Sequence, residues 1–123
     1  MKIEVSNGEI VDKLTILLIK EENIKSKDKL HNVRKEISEI GHIADSIASR
    51  DSKEFIRLYN INKALWKIED QIREKERKKE FDDEFVQLAR SVYFTNDERS
   101  KAKRSINEMS ASDIFEEKSY EAY

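Results

Sequence analysis

The chain contains no cysteine and no proline, and only two glycines among 123 residues. Without thiols there is no disulfide framework, no thiolate nucleophile and no sulfur ligand for a metal. With turn residues this scarce, the repeated corners of a β-sandwich or barrel cannot be built, so a sheet-rich fold is excluded. Long apolar runs are missing too. The longest, Ile16-Leu17-Leu18-Ile19, is far too short to span a bilayer, and no apolar segment follows Met1–Val5, which points to a soluble, cytoplasmic protein. Nor is one sign of charge in excess. Lys and Arg number 24 against 26 Asp and Glu, so the net charge of −2 provides no global field toward nucleic acid or an anionic membrane. Histidine is limited to His31 and His42. On one helix they would stand about 16 Å apart and cannot share an ion.

What the chain has in abundance is charge, at 41% of residues, laid over apolar residues that recur in helical rhythm. Ser6-Asn7-Gly8-Glu9 reads as a capping box, with Ser6 receiving a backbone N–H and Glu9 reaching back. Ile10, Leu14, Leu17 and Ile24 then share a face, while Val11, Ile16, Leu18 and Ile19 add apolar surface elsewhere. A helix this apolar on most sides must be surrounded. The hydrophobic phase resets after Ile24, which places a break at residues 25–28 with Ser26 or Asp28 as N-cap.

A second helix carries the narrow stripe Leu30, Val33, Ile37, Ile40, Ala44 and Ile47. Its Gly41 either permits a close crossing or is tolerated at about 1 kcal/mol. Asp51-Ser52-Lys53-Glu54 is another capping signal, followed by Phe55, Leu58, Ile61, Leu65, Ile68 and Ile72 on one face. Phe81, Phe85, Leu88 and Val92 restart the pattern after the acids Asp82-Asp83-Glu84, which suit a helix N-terminus. The phase continues through Thr95, Arg99, Ala102, Ile106 and Met109, which favours one long fourth helix over two. The expectation is one all-α domain, residues 1–123: a four-helix antiparallel bundle with helices near 7–25, 28–49, 52–79 and 82–109. A short non-helical N-terminus precedes it, and a tail, 110–123, follows with at most a helical turn around Ile114 and Phe115. The coiled-coil-like stripes of the second and third helices also suit pairing with a second copy, so a homodimer is expected.

Two sets of residues suggest chemistry. Trp66, Glu69, Asp70 and Arg73 on the third helix, with Arg90, Tyr93, Asn96, Asp97 and Arg99 on the fourth, combine aromatic rings with Arg and acidic groups, as a pocket for a small polar or phosphorylated ligand does. The same residues also read as structure: Glu69 and Arg73 as an i,i+4 ion pair, Trp66 and Tyr93 as core-edge aromatics, Asn96-Asp97 as a cap or kink. Glu9/Asp12, Glu36/Glu39 and Glu80/Asp83 are i,i+3 acid pairs. Roughly five such pairs arise by chance in a chain this acidic, so they carry little weight singly. Only Glu9/Asp12 adjoins the most apolar helix, and it also reads as an N-terminal turn complementing the helix dipole. The basic stretches Arg73–Lys79 and Arg99–Arg104 lack interleaved aromatics, which disfavours nucleic acid. No phosphate-cradling glycine loop, Ser/His/Asp arrangement or dinucleotide fingerprint is present.

Three stretches together resemble a small family of unknown function found in bacteria and in viruses of aquatic bacteria. They are Lys2-Ile3-Glu4-Val5-Ser6-Asn7-Gly8-Glu9-Ile10-Val11-Asp12-Lys13-Leu14-Thr15-Ile16-Leu17, then Leu65-Trp66-Lys67-Ile68-Glu69-Asp70-Gln71-Ile72-Arg73, then Leu88–Arg99 with Lys103 and Asn107 behind. The resemblance implies no activity; for some relatives it implies a setting beside genes for cell-surface glycan synthesis, which is context and not mechanism. Two functional readings remain. One is a non-catalytic helical module that binds a partner protein or a small polar ligand, with no cofactor, through the surface of the third and fourth helices. The alternative is a small Mg²⁺-dependent enzyme acting on a phosphorylated or nucleotide-like substrate. There Glu9, Asp12 and Asp97 would hold the metal, and Arg73, Arg90 and Arg99 the phosphate.

Overall fold

A computed structural model describes residues 1–123 and shows an all-α four-helix bundle: α1 Asn7–Asn23, α2 Lys27–Ile47, α3 Lys53–Lys78 and α4 Asp83–Met109. Each helix starts at a side-chain oxygen that accepts a backbone N–H three residues on. Ser6 accepts from Glu9, Ser26 from Lys29, Ser52 from Phe55 and Asp82 from Phe85. Only half of the expected capping box forms at α1. The Glu9 carboxylate goes instead to Lys103 Nζ at 2.7 Å, because an ammonium outcompetes a backbone amide as its partner. α4 runs unbroken through Thr95-Asn96-Asp97.

Two helices end in Schellman turns built without glycine. Lys79 and Ala111 both adopt the left-handed conformation, at φ 56° and 51°. Backbone bonds Glu80 N–H to Lys75 O and Ser112 N–H to Asn107 O close the two turns. At the α3–α4 tip, Lys75 Nζ lies 3.0–3.2 Å from carboxylates of Glu80, Asp82 and Glu84, which ties the loop down. Residues 113–123 have no regular structure, and the helical turn considered at Ile114 and Phe115 does not form. Such a turn is too short to nucleate alone, and its side chains are engaged by α4.

α1 is the central element, packed against α2, α3 and α4, while α3 and α4 pack on each other as a long hairpin. The core joins Val11 and Leu14 of α1, Ala44 of α2, Ala48 just beyond it, Phe55 and Leu58 of α3, and Ala102 and Ile106 of α4. It therefore occupies the end of the bundle where α1 is present. At about 1.5 Å per residue the 17-residue α1 is about 25 Å long and the 26-residue α3 about 39 Å, so the α3–α4 hairpin projects past its cover. Burial follows. Phe55 and Leu58 are buried, whereas Ile61, Leu65, Ile68 and Ile72 on the same stripe are only half-buried.

The two glycines play opposite parts. A Cβ on Gly8 would lie 2.4 Å from the Lys103 carbonyl oxygen and 3.0 Å from Asn107 Oδ1, so only glycine lets α1 approach α4 this closely. At Gly41 the nearest atom would be the flexible Arg50 Nη2 at 3.5 Å; no close crossing requires it. Gly8→Ala is therefore expected to destabilise by about 1–3 kcal/mol through overpacking against backbone. Gly41→Ala should gain up to about 1 kcal/mol of helix propensity. Urea denaturation of both variants measures the difference; equal effects would contradict this packing.

Candidate functional site

Asp12 lies on the face of α1 that Val11, Leu14 and Thr15 bury, and is itself only 1% exposed. A carboxylate so placed needs a full set of partners. Arg99 of α4 supplies two, with Nε donating to Oδ1 at 2.9 Å and Nη2 to Oδ2 at 2.5 Å. Asn62 of α3 supplies a third, its Nδ2 donating to Asp12 Oδ1 at 2.8 Å and also to Thr15 Oγ1 at 2.8 Å. The Thr15 hydroxyl donates in turn to the Asp12 carbonyl at 2.7 Å. Three helices thus converge on one carboxylate, and no buried side-chain polar atom is left without a partner. Hydrogen bonding to Asp12 raises the Arg99 pKa above its ordinary value against the opposing effect of burial, and the guanidinium stays charged.

Beside this network opens a cleft of about 490 Å³ between α1, α3 and α4. Ile16, Ile19, Leu65 and Val92 form its apolar walls; Trp66, Asn62, Glu69, Asp70, Arg73, Asn96 and Arg99 complete the lining. Six of the nine residues expected in a pocket therefore meet here: Trp66, Glu69, Asp70, Arg73, Asn96 and Arg99. Helical geometry explains which do. On α3, positions 62, 66, 69, 70 and 73 share a face, as do 92, 96 and 99 on α4.

Arg90, Tyr93 and Asp97 lie on another face of α4 and do not line this cleft. Arg90 is exposed, its guanidinium 5.8 Å from the Phe94 ring centre. Tyr93 packs on Phe94 and Tyr123, and Asp97 accepts from the Tyr123 hydroxyl. The acids considered for Mg²⁺ do not come together either. Glu9 pairs with Lys103, Asp12 with Arg99 and Asp97 with Tyr123, and no three acid or imidazole groups are placed to hold a metal. The three arginines considered for phosphate are likewise separated. Arg73 is paired with Glu69 at 3.1 Å, and only Arg73 and Arg99 face the cleft.

Sequence reasoning missed Asn62, Thr15 and Lys103. Asn62 sits four residues after Leu58, a polar residue in phase with the apolar stripe, and that interruption was its available signal. Lys103, only 12% exposed, bridges Glu9 at 2.7 Å and Glu116 at 2.9 Å. Burial works to lower its pKa, but the hydrogen bonds to the two carboxylates prevail and raise it. Glu116 is lowered, chiefly by Lys103 and then by Lys118. A second cleft, of about 890 Å³, lies between α4 and residues 116–123, and Asn96 and Arg99 line it as well.

Because removing one member strands the others, Asp12→Ala is expected to cost about 3–5 kcal/mol. The double variant Asp12→Leu/Arg99→Met should be more stable than Asp12→Leu alone, since no uncompensated charge remains buried. Urea midpoints of wild type, Asp12→Leu, Arg99→Met and the double variant decide this; strictly additive effects would mean the pair is not coupled. A second expectation concerns tyrosine. Hydrogen bonding to Glu22 pushes Tyr59 up to about 12, and bonding to Asp97 does the same for Tyr123. Both folded values exceed the ordinary value of about 10, so these contacts stabilise fully below about pH 10 and are lost as pH rises through about 12. Absorbance titration at 295 nm should show late ionisations that Tyr59→Phe and Tyr123→Phe remove one at a time.

No helix is long and apolar enough to cross a membrane. No curated protein and no solved structure matches the chain. Residues 1–123 match the model of a family of unknown function, DUF6165, and the chain belongs to that family.

Proposed function

We propose that the chain is a helical binding module whose α1/α3/α4 cleft takes a small polar ligand carrying an anionic, phosphate-like group. The observation that supports this most is Arg99. Its guanidinium is fixed on two nitrogens by buried Asp12, yet it lines the cleft with a side chain still 30% exposed. A buried ion pair adds little net stability over apolar residues of similar volume. What it does add is orientation: a planar donor, always charged, held at one place on a cleft wall. Trp66 offers an apolar face for the rest of the ligand, and Asn96, Asp70 and Arg73 offer hydrogen bonds around the rim.

Thermal-shift screening of phosphorylated small molecules tests this. A ligand at 100 times its Kd adds about 2.7 kcal/mol of stability. A hit should raise Tm and change the fluorescence of Trp66, the only tryptophan. Arg73→Ala, at an exposed position, should fold normally and bind at least about ten-fold more weakly, or about 1.4 kcal/mol. Arg90→Ala, outside the cleft, should bind as wild type does. A screen with no shift, or binding that Arg73→Ala leaves intact, defeats the reading.

A homodimer is proposed on separate grounds. Away from the ligand cleft, the projecting α3–α4 hairpin leaves Ile68, Ile72, Phe85 and Leu88 only half-buried, and its tip carries basic Arg77 and acidic Asp83, both exposed. A second hairpin laid against it covers the apolar residues and meets both signs of charge. Light scattering should give twice the 14.6 kDa chain mass; the monomer mass at high concentration counts against it.

A further inference from the structure

The tail is held to α4 in an unusual way. Every residue from Asp113 to Tyr123 is exposed, and no backbone–backbone hydrogen bond involves any of them. What holds them is charge, rings and two side-chain hydrogen bonds, from Ser112 Oγ to the Ile114 carbonyl at 2.7 Å and from the Tyr123 hydroxyl to Asp97. Glu116 reaches Lys103 at 2.9 Å, Glu117 reaches Arg104 at 3.0 Å, and the Arg104 guanidinium lies 5.5 Å from the Phe115 ring centre. At the far end the Tyr123 ring packs edge-on against Phe94 with centres 4.9 Å apart.

Ion pairs whose tail-side partner stands in solvent, as Glu116 and Glu117 do, contribute little each and are screened by salt. They suffice only because the segment is tethered. The Schellman turn at Ala111 and the buried Ser112, which accepts from the Asn7 N–H at 3.0 Å, set the direction in which the tail leaves the body. Tethering gives an effective concentration near the millimolar range, so contacts too weak to hold a free peptide hold this one.

We propose that residues 113–123 are a reversible strap and an autoinhibitory contact, in which Glu116 occupies Lys103 as a carboxylate stand-in for an anion. Glu9 and Glu116 both add to the field at Arg99, and the cleft beneath the strap shares Asn96 and Arg99 with the α1/α3/α4 cleft. Docked, the strap takes up Lys103 and walls one side of Arg99. Released, it leaves Lys103 open toward solvent and uncovers Phe94. Only the claim about what the strap inhibits rests on the proposed ligand cleft; the docking itself stands on the contacts above.

Trypsin cleavage of the full chain after Lys118 reads the strap directly, because a protease must lift an extended segment off the surface to cut it, and the rate follows the open population. Rates are taken relative to the free peptide of residues 113–123, read by mass spectrometry. Cleavage should accelerate about ten-fold between about 20 mM and 500 mM NaCl, as the ion pairs are screened. Glu116→Gln/Glu117→Gln should be cut at low salt as fast as wild type at high salt, with unchanged helical circular dichroism. Equal relative rates for both proteins at both salts would overturn the strap. Pyrophosphate, at ionic strength matched with NaCl, should accelerate cleavage further by competing for Lys103 and Arg99. Acceleration by NaCl with none added by pyrophosphate upholds the docked strap but overturns the role of Glu116 as an anion stand-in and with it the autoinhibition.

Discussion

One carboxylate organises the bundle. Asp12 is buried in the helix that touches all three others, and its charge can be tolerated there only if α3 and α4 both deliver donors to it. Asn62 and Arg99 do so, which couples the rotation of α3 to that of α4 and the position of both to α1. Apolar contacts alone are less particular, since greasy stripes slide past one another with small changes in energy. A bidentate guanidinium does not slide. A polar lock of this kind serves register more than stability, as a buried polar residue in a coiled coil does.

The second constraint lies one helical turn earlier along α1. The Gly8 N–H donates to Asn107 Oδ1 at 2.6 Å, and the Asn7 N–H donates to Ser112 Oγ at 3.0 Å. These are N–H groups at a helix start, which would otherwise need water or a cap. α4 and its Schellman turn supply the acceptors, so the beginning of the first helix is satisfied by the end of the last. The missing side chain at Gly8 and the amide of Asn107 are two halves of one contact. Because this joint closes the chain on itself, the tail emerges beside α1 and across the face that bears Lys103.

The helices were legible in the sequence because their signals are local. A capping serine, a stripe at three- and four-residue spacing and a reset of phase after Ile24 all lie within a few turns of the residues they describe. The cleft was half legible. Trp66, Glu69, Asp70 and Arg73 fall on one face of a helix whose periodicity is plain, whereas Arg90, Tyr93 and Asp97 are close to Asn96 and Arg99 only in sequence, a closeness that about 100° per residue does not respect. The partner of Asp12 was not legible at all. It lies 87 residues away, and no periodic signal links a carboxylate on one helix to the guanidinium that another brings to it. Tail docking was hidden for the same reason, since a run of exposed acids and tyrosines looks like a solvated end until Lys103 and Phe94 are placed beneath it.

The cleft sits where the tight core stops. On one side are Leu14, Leu58 and Ile106, each at 0% exposure; on the other the α3–α4 hairpin runs on with its apolar stripe covered only by itself. Local opening follows such gradients: fluctuations of the projecting hairpin require fewer buried contacts to break than any movement of α1. Asp12, Asn62 and Arg99 belong to the firm side, Trp66 and Arg73 to the looser one. A ligand touching both Arg99 and Arg73 would bridge them, and its binding energy would be divided between contacts made and motion suppressed. The strap acts on the same boundary from outside, since its far end rests on Phe94, one residue from the Thr95 turn of α4 that leads to Asn96 and Arg99. Site, hairpin and tail are therefore linked by position along one helix, α4, whose Arg99 holds the carboxylate lock and whose Lys103, Arg104 and Phe94 hold the strap.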